Sequence, residues 1–468
     1  MPTSDLIYTP ATELRRLLNE RRVSAVELLD AVLARIDAIE SRVGIFQTLD
    51  ADGARTAALA ADAAIQRGDS LGPLHGLPIT IKDLEPTAGL RTTYGSRFFV
   101  DYVPAEDGAV AARVRGAGAI ILGKSNTSHF GHKDMCDNLI GPPTRNPWNL
   151  SRTSGASSGG AGAAAASGVG PIAHGTDGAG SIRIPASLCG VFGFKPSFGL
   201  ISTWPNTDFW AARTHAGPLA RTVRDAAMFL NATAGPDRRD PLTFDSGTDD
   251  WIRVCDGGIR GLRVAWSATF GYAPLDPTVR AVVERAVGHF TDLGCTVEAV
   301  DPGWDDPAPF ARVLWHASMA YRHGQRYRQQ PEWFEPSMAE MVEDGLKLSA
   351  VDVGEAMMAR SAFYERARTF LARYDLLLTP QMPTVAWDVD GYPTVEGRDL
   401  TAIFDRVPFT FPFNLTGWPA ASVPCGFVDG LPVGLQIVAP WRQDALCLRA
   451  AAAFEVSHPW AAARPPLN

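Results

Sequence analysis

What the chain lacks narrows its class first. No apolar run reaches the ~18–20 residues that cross a bilayer, so no membrane partner is expected. Basic residues are not in excess. Against 43 Lys and Arg stand 51 Asp and Glu, giving a net charge of −8 and a pI near 5.6. That balance speaks against a nucleic-acid partner. The six cysteines (Cys136, Cys189, Cys255, Cys295, Cys425, Cys447) form no CxxC pair and no regular spacing. They are expected to be reduced thiols. The opening M-P-T-S-D-L-I-Y has neither a basic segment nor an apolar stretch, so no secretory leader and a cytoplasmic location are expected. Internal repeats and long low-complexity tails are missing too.

What is present suits a large core. Apolar residues make up 46% of 468, enough for one large α/β domain or two to three ordinary ones. Thr9-Pro10 starts a helix carrying Leu14, Leu17 and Leu18, and Ser24 with Glu27 forms a capping box for the next. Residues 50–67 are alanine-rich and helical. The spacing predicts strands over 77–82, 119–122, 262–265, 295–300 and 374–380. It predicts helices over 222–233 and 276–293 and a mostly helical stretch over 304–370. Residues 171–175 lead into a strand or turn. Strand-helix alternation points to layered α/β architecture.

The most informative run is Ser154 to Pro196. It contains G-A-S-S-G-G, then G-T-D-G-A-G-S-I-R-I-P, then C-G-V-F-G-F-K-P. Glycine, alanine and serine dominate, yet Val169, Ile172, Ile182, Ile184, Leu188, Val191 and Phe192 lie among them. Small residues inside apolar sequence imply backbone packed against backbone or against a ligand. The run resembles the signature of the amidase signature family. Gly76-Leu-Pro-Ile-Thr-Ile-Lys82-Asp83 resembles that family's lysine strand. Asn414-Leu-Thr-Gly417 and Gly430-Leu-Pro-Val-Gly-Leu-Gln436 resemble its C-terminal block. Most of 70–235 and 371–440 is covered. The resemblance implies a single α/β domain with a central mixed sheet flanked by helices on both faces. Residues 1–70 would form an N-terminal helical layer, 71–235 the signature core, 236–370 a variable substrate-side region, and 371–468 the rest of the core.

The resemblance also implies the chemistry, which is amide hydrolysis with possible extension to carbamates and esters. Ser181 would be the nucleophile and Lys82 the base, with Ser157, after a cis peptide bond, relaying the proton between them. The N–H groups of Gly178, Ala179, Gly180 and Ser181 would hold the oxyanion. Ser158, Asp177 and Arg183 would brace the loop. A base at neutral pH must be unprotonated, and burial beside Ile79, Ile81 and Leu84 would lower the lysine pKa. Taken alone, Lys82 reads as a surface lysine paired with Asp83. Two positions depart from many relatives, Ala156 before the relay serine and Ala179 in place of a glycine. Alanine fits only where φ is negative.

Three other patterns compete. Gly118-A-I-I-L-Gly123-Lys124-Ser125 matches a phosphate loop in letters, but Ala-Ile-Ile-Leu reads as a buried strand. His129, His132 and Cys136 have ligand-like side chains without a fourth ligand, so no metal is expected. Gly155-Ala-Ser157-Ser-Gly159 matches a nucleophile elbow, which needs a preceding strand and a histidine base. Residues 146–153 read as loop, and His174 is the one nearby candidate base.

Met135, Trp204, Phe209 and Trp210 are the expected substrate contacts. Of Trp304, Phe310, Trp315, Tyr321, Tyr327, Trp333 and Phe334, most should be core and the rest should line an apolar pocket. A neutral aromatic or aliphatic amide, anilide or carbamate follows as the expected small-molecule partner, with no cofactor and a homodimer allowed. The alternatives are the glutamine-hydrolysing component of a tRNA-linked amidotransferase and an amidase-like binding protein without turnover. The first would carry an acidic group where Val407 stands.

Overall fold

A computed structural model describes residues 3–206, 213–248 and 250–467. Its frame is an 11-stranded mixed sheet. The strands are β1 (Phe46–Leu49), β2 (Pro78–Lys82), β3 (Ile120–Ser125), β4 (Ile172–Asp177), β5 (Phe192–Lys195), β6 (His215–Ala220), β7 (Arg263–Trp266), β8 (Thr296–Ala299), β9 (Leu376–Pro380), β10 (Ala420–Val428) and β11 (Leu431–Val438). They lie in the order β1-β3-β2-β4-β6-β5-β10-β11-β9-β7-β8. Strand β2 runs parallel to β3 and β4, and β7 parallel to β8 and β9. The strands between these groups are antiparallel.

Each parallel pair needs a crossover, and the chain supplies helices for it. Ala109–Gly116 lies between β2 and β3, and Pro277–Asp292 between β7 and β8. The second shows why its sequence is helical. Asp276 caps it, Pro277 opens it, and Val279, Val282, Val283, Ala286, Val287 and Phe290 are buried along one face. Every residue of β2, β3, β9 and β11 is buried, as expected of strands covered on both sides. Helices flank the sheet, and the molecule is one mixed α/β domain.

Two expectations need correction. The first 70 residues are not purely helical, because β1 pairs antiparallel with β3 and makes this segment part of the sheet. Asn149–Thr153 is not loop but a short strand paired with Arg145–Asn146, in a hairpin outside the main sheet. Alternation was hidden there by the mixed polarity of N-L-S-R-T. The variable region is helical as expected, over Ala308–Gln329, Pro336–Lys347 and Ala350–Leu371. No described helix is long and apolar enough to cross a membrane. The six cysteines are free and buried.

The small residues of the signature serve close approach. In the helix Gly159–Ser167, a Cβ on Gly160 would lie 2.4 Å from the Asn126 nitrogen and 2.5 Å from the Ile45 carbonyl oxygen. Only glycine lets this helix sit so tightly on the chain beside β3.

Candidate active site

Strands β2 and β4 are parallel neighbours, so both end at the same edge of the sheet. Lys82 is the last residue of β2, and Thr176 and Asp177 close β4. Two serine-bearing turns meet them. Ser157 and Ser158 precede the helix Gly159–Ser167, and Ser181 lies in the turn between β4 and the helix Arg183–Cys189. The Ala156–Ser157 peptide is cis.

Lys82 is fully buried. Its Nζ donates to Ser157 Oγ at 2.8 Å, Ser158 Oγ at 2.8 Å and Thr176 Oγ1 at 2.9 Å, and approaches the Thr176 carbonyl oxygen at 3.4 Å. Among the described residues it makes no ion pair. Asp83 points elsewhere, accepting from the backbone N–H and hydroxyl of Thr93. The surface Lys82–Asp83 pair is therefore not formed. Burial pushes the Lys82 ammonium down to about 7, against weaker opposing pulls from Cys136 and Asp177. Such an amine is substantially neutral at ordinary pH. Ser158 occupies a helix N-cap position without capping the helix. Its hydroxyl instead donates to the Thr176 carbonyl and accepts the Thr176 N–H, at 3.1 and 3.2 Å.

Asp177 and Arg183 make a buried bidentate pair, Nε to Oδ2 at 2.9 Å and Nη2 to Oδ1 at 3.0 Å. Burial alone would raise the Asp177 carboxyl. Arg183, Lys195 and hydrogen bonds hold it well below the usual range. The pair is closed by residues far along the chain. Arg183 also donates to Gln436 Oε1 at 2.7 Å, Asn414 Oδ1 at 2.7 Å and the Thr410 carbonyl at 2.9 Å. Asn414 Nδ2 donates back to Asp177 Oδ1 at 2.8 Å.

This network shapes the turn at 178–181. Asp177 Oδ1 accepts the Gly180 N–H at 2.7 Å, and Oδ2 accepts the Ile182 N–H at 3.2 Å. The Gly180 N–H is thus already engaged, contrary to its expected role as an oxyanion donor. Among the described residues, the N–H groups of Gly178, Ala179 and Ser181 have no partner. Gly180 takes φ +128°, and a Cβ there would meet Thr410 Oγ1 at 2.5 Å. Ala156 and Ala179 avoid positive φ, so a methyl group is tolerated at both.

Ser157 opens on a cavity of about 330 Å³ whose walls include Tyr94, Phe99, Tyr102, Phe130, Thr176, Gly178, Trp315 and Met319. Ser181 is 7% exposed and borders a crevice of about 10 Å³ with His132, Asp134, Ala179, Ile403 and Val407. Gly131 and Trp315 wall both spaces. The Ser181 hydroxyl makes no hydrogen bond among the described residues. Its carbonyl accepts the Ser158 N–H at 3.2 Å.

The expected substrate contacts fare worse than the signature residues. Met135 is half-buried and lines neither space. Trp204 turns to Arg239, whose guanidinium lies 4.1 Å from its ring centre. Phe209 and Trp210 lie outside the described residues. Of the variable-region aromatics, Trp315 lines the cavity, while Trp304 packs on Phe270 and Phe363. Sequence reasoning missed Thr176, Thr410, Asn414 and Gln436 as individuals, although three of them sit inside motifs it had singled out.

The competing patterns resolve differently. Gly118–Ser125 holds strand β3, and buried Lys124 donates to the Glu85 carbonyl and to Thr87 Oγ1. His129 and His132 bond Ser96 and Ser337. Among the described residues, both nitrogens of buried His174 lack hydrogen-bond partners, so it bonds no serine there.

Comparison with known proteins places the chain in a family. The family model for amidase matches residues 27–448. The chain belongs to the amidase family. An acylamidase of Rhodococcus erythropolis is 36% identical over 473 residues, covering 99% of this chain and 98% of that one. One component of the glutamyl-tRNA(Gln) amidotransferase of Moorella thermoacetica is likewise 36% identical, over 99% of both chains. Among solved structures, a bacterial aryl acylamidase of the amidase signature family superposes with a TM-score of 0.92 at 28% identity, covering 97% of each chain. This protein is an amide-hydrolysing enzyme that acts on carbon–nitrogen bonds.

Proposed function

We propose that the protein is a serine amidase that works through an acyl-enzyme on Ser181. The observation that carries this reading is Lys82, a buried amine with no ion pair among the described residues and its nitrogen 2.8 Å from Ser157 Oγ. Neutral Lys82 takes the Ser157 hydroxyl proton as Ser157 takes that of Ser181, and Ser181 Oγ bonds to the acyl carbon. The N–H groups of Gly178, Ala179 and Ser181 receive the developing oxyanion. When the C–N bond breaks, the proton returns along the same path to the leaving nitrogen. Water then repeats the sequence, releasing the acid and restoring Ser181. The missing Ser181 hydrogen bond closes when substrate enters, as catalytic contacts often tighten only in the complex.

The aromatic walls support an amide, anilide or carbamate with an apolar body. The resemblance to an amidotransferase component favours a second reading, hydrolysis of glutamine beside partner chains. Val407 weighs against it, since an apolar side chain stands in the Ser181 crevice where the resemblance to that component calls for an acidic one, and the crevice's Asp134 is already paired with Arg406. A fluorophosphonate probe tests the first reading. It should label Ser181 and fail to label Ser181→Ala, and a panel of p-nitroanilides, primary amides, carbamates and esters should lose turnover in the same variant. Labelling elsewhere, or turnover surviving in Ser181→Ala, would sink it.

A further inference from the structure

We propose that the substrate amide carries a carboxylate at the far end of its apolar body, and that Arg326 seats it. This rests on the reading of Ser181 as nucleophile. The helix Ala308–Gln329 turns one face to the cavity, formed by Trp315, Ser318, Met319, Arg322, His323 and Arg326. That 3-4 spacing is a single stripe. Trp315 lies over the start of the oxyanion turn, where a Cβ on Gly178 would meet its ring at 3.5 Å. Arg326 follows roughly 16 Å further along the helix axis, at ~1.5 Å per residue. Its side chain leans back towards the helix N-terminus.

The guanidinium of Arg326 lies over the Phe99 ring, 5.2 Å from its centre. A guanidinium set over an aromatic ring keeps N–H donors to offer a carboxylate. Among the described residues Arg326 makes no ion pair. Its one hydrogen bond runs from Nη1 to the Arg322 carbonyl at 3.4 Å. The cavity's carboxylate is differently placed. Glu85 Oε1 accepts the N–H groups of Val110 and Ala111 at 3.0 and 3.3 Å, and burial pushes its carboxyl up to about 7 against the weaker pull of buried Lys124. Arg213 and Arg322 add guanidinium groups to the same walls. His323, stacked on Phe130 at 4.0 Å, is kept neutral mainly by burial. Tyr94, Phe130, Trp315 and Met319 supply apolar surface in the same cavity. A neutral substrate, as the sequence suggested, would leave the Arg326 fork unused.

Three acyl p-nitroanilides of equal chain length test this, ending in carboxylate, methyl or ammonium. The carboxylate should be preferred to methyl by about tenfold or more in kcat/KM, mostly through KM. Arg326→Gln should abolish that preference while leaving the methyl substrate within about twofold, and Arg326→Lys should restore part of it. The same order should appear when the three chains bind to Ser181→Ala in calorimetry, which needs no turnover. Equal handling of all three by the native enzyme, or preference for ammonium, would overturn the proposal. So would an equal loss on all three in Arg326→Gln. Turnover surviving in Ser181→Ala would instead refute the nucleophile and leave the binding order as a separate result.

Discussion

The signature turns and the helix Ala308–Gln329 face each other across one cavity and are built on opposite plans. The turns use small side chains and backbone N–H groups fixed by buried polar contacts. The helix presents large side chains with stacking contacts and few hydrogen bonds. On the proposed reading, bond cleavage belongs to the sheet edge and choice of substrate to the helix. A rigid frame suits groups that must stay within tenths of an ångström of a reacting atom. Longer side chains on a separate element can change without disturbing it.

The largest effect should come from the sheet edge. Lys82→Met should lower kcat roughly 10²–10⁴-fold, as expected for loss of a positioned base, measured on any p-nitroanilide that the enzyme accepts. In the native enzyme kcat/KM should rise with pH through about 7, because the amine must be neutral to act. The sign for stability is related. The folded pKa is depressed, so between about 7 and the unfolded value the unfolded chain binds more protons, and stability rises with pH across that window. Lys82→Met should remove this increment and melt higher than the native protein at pH 7. A lower melting point would show that the amine's hydrogen bonds outweigh its desolvation.

Next in size, Arg183→Ala should cost about 3–5 kcal/mol in chemical denaturation, because it strands buried Asp177. Its activity should fall as well, since Asp177 sets the turn at 178–181. The smallest effect is expected at Trp204. Trp204→Ala should leave kcat/KM within about twofold, as its ring stacks on Arg239 away from the cavity. A large loss there would move part of substrate selection off the helix.

Much of this site was legible in advance for a local reason. Lys82, Ser157, Ser158, Asp177, Ser181 and Arg183 sit in short motifs rich in glycine and small residues, and the resemblance of those motifs is what picks them out. The alternation of β2 put Lys82 at a strand end. The expectation at Gly180 fell short because its N–H is claimed by Asp177, three residues back, a competition that spacing alone does not display. Met135 and Trp204 were misplaced because aromatic or apolar character does not say which way a side chain faces.

By itself, the order of residues determined the layered α/β class and the family, and the resemblance singled out one amine and two hydroxyls as the candidate site. The class depends on periodicity, and the family and candidate residues on motifs carried within short segments. Only the tertiary structure decided that Asn414 and Gln436 close the Arg183 network, that Lys82 loses its water and its neighbour Asp83, and that Trp315 and Arg326 share a cavity with Ser157. Desolvation and long-range contact arise when separated segments pack together, and no stretch of the chain records them alone.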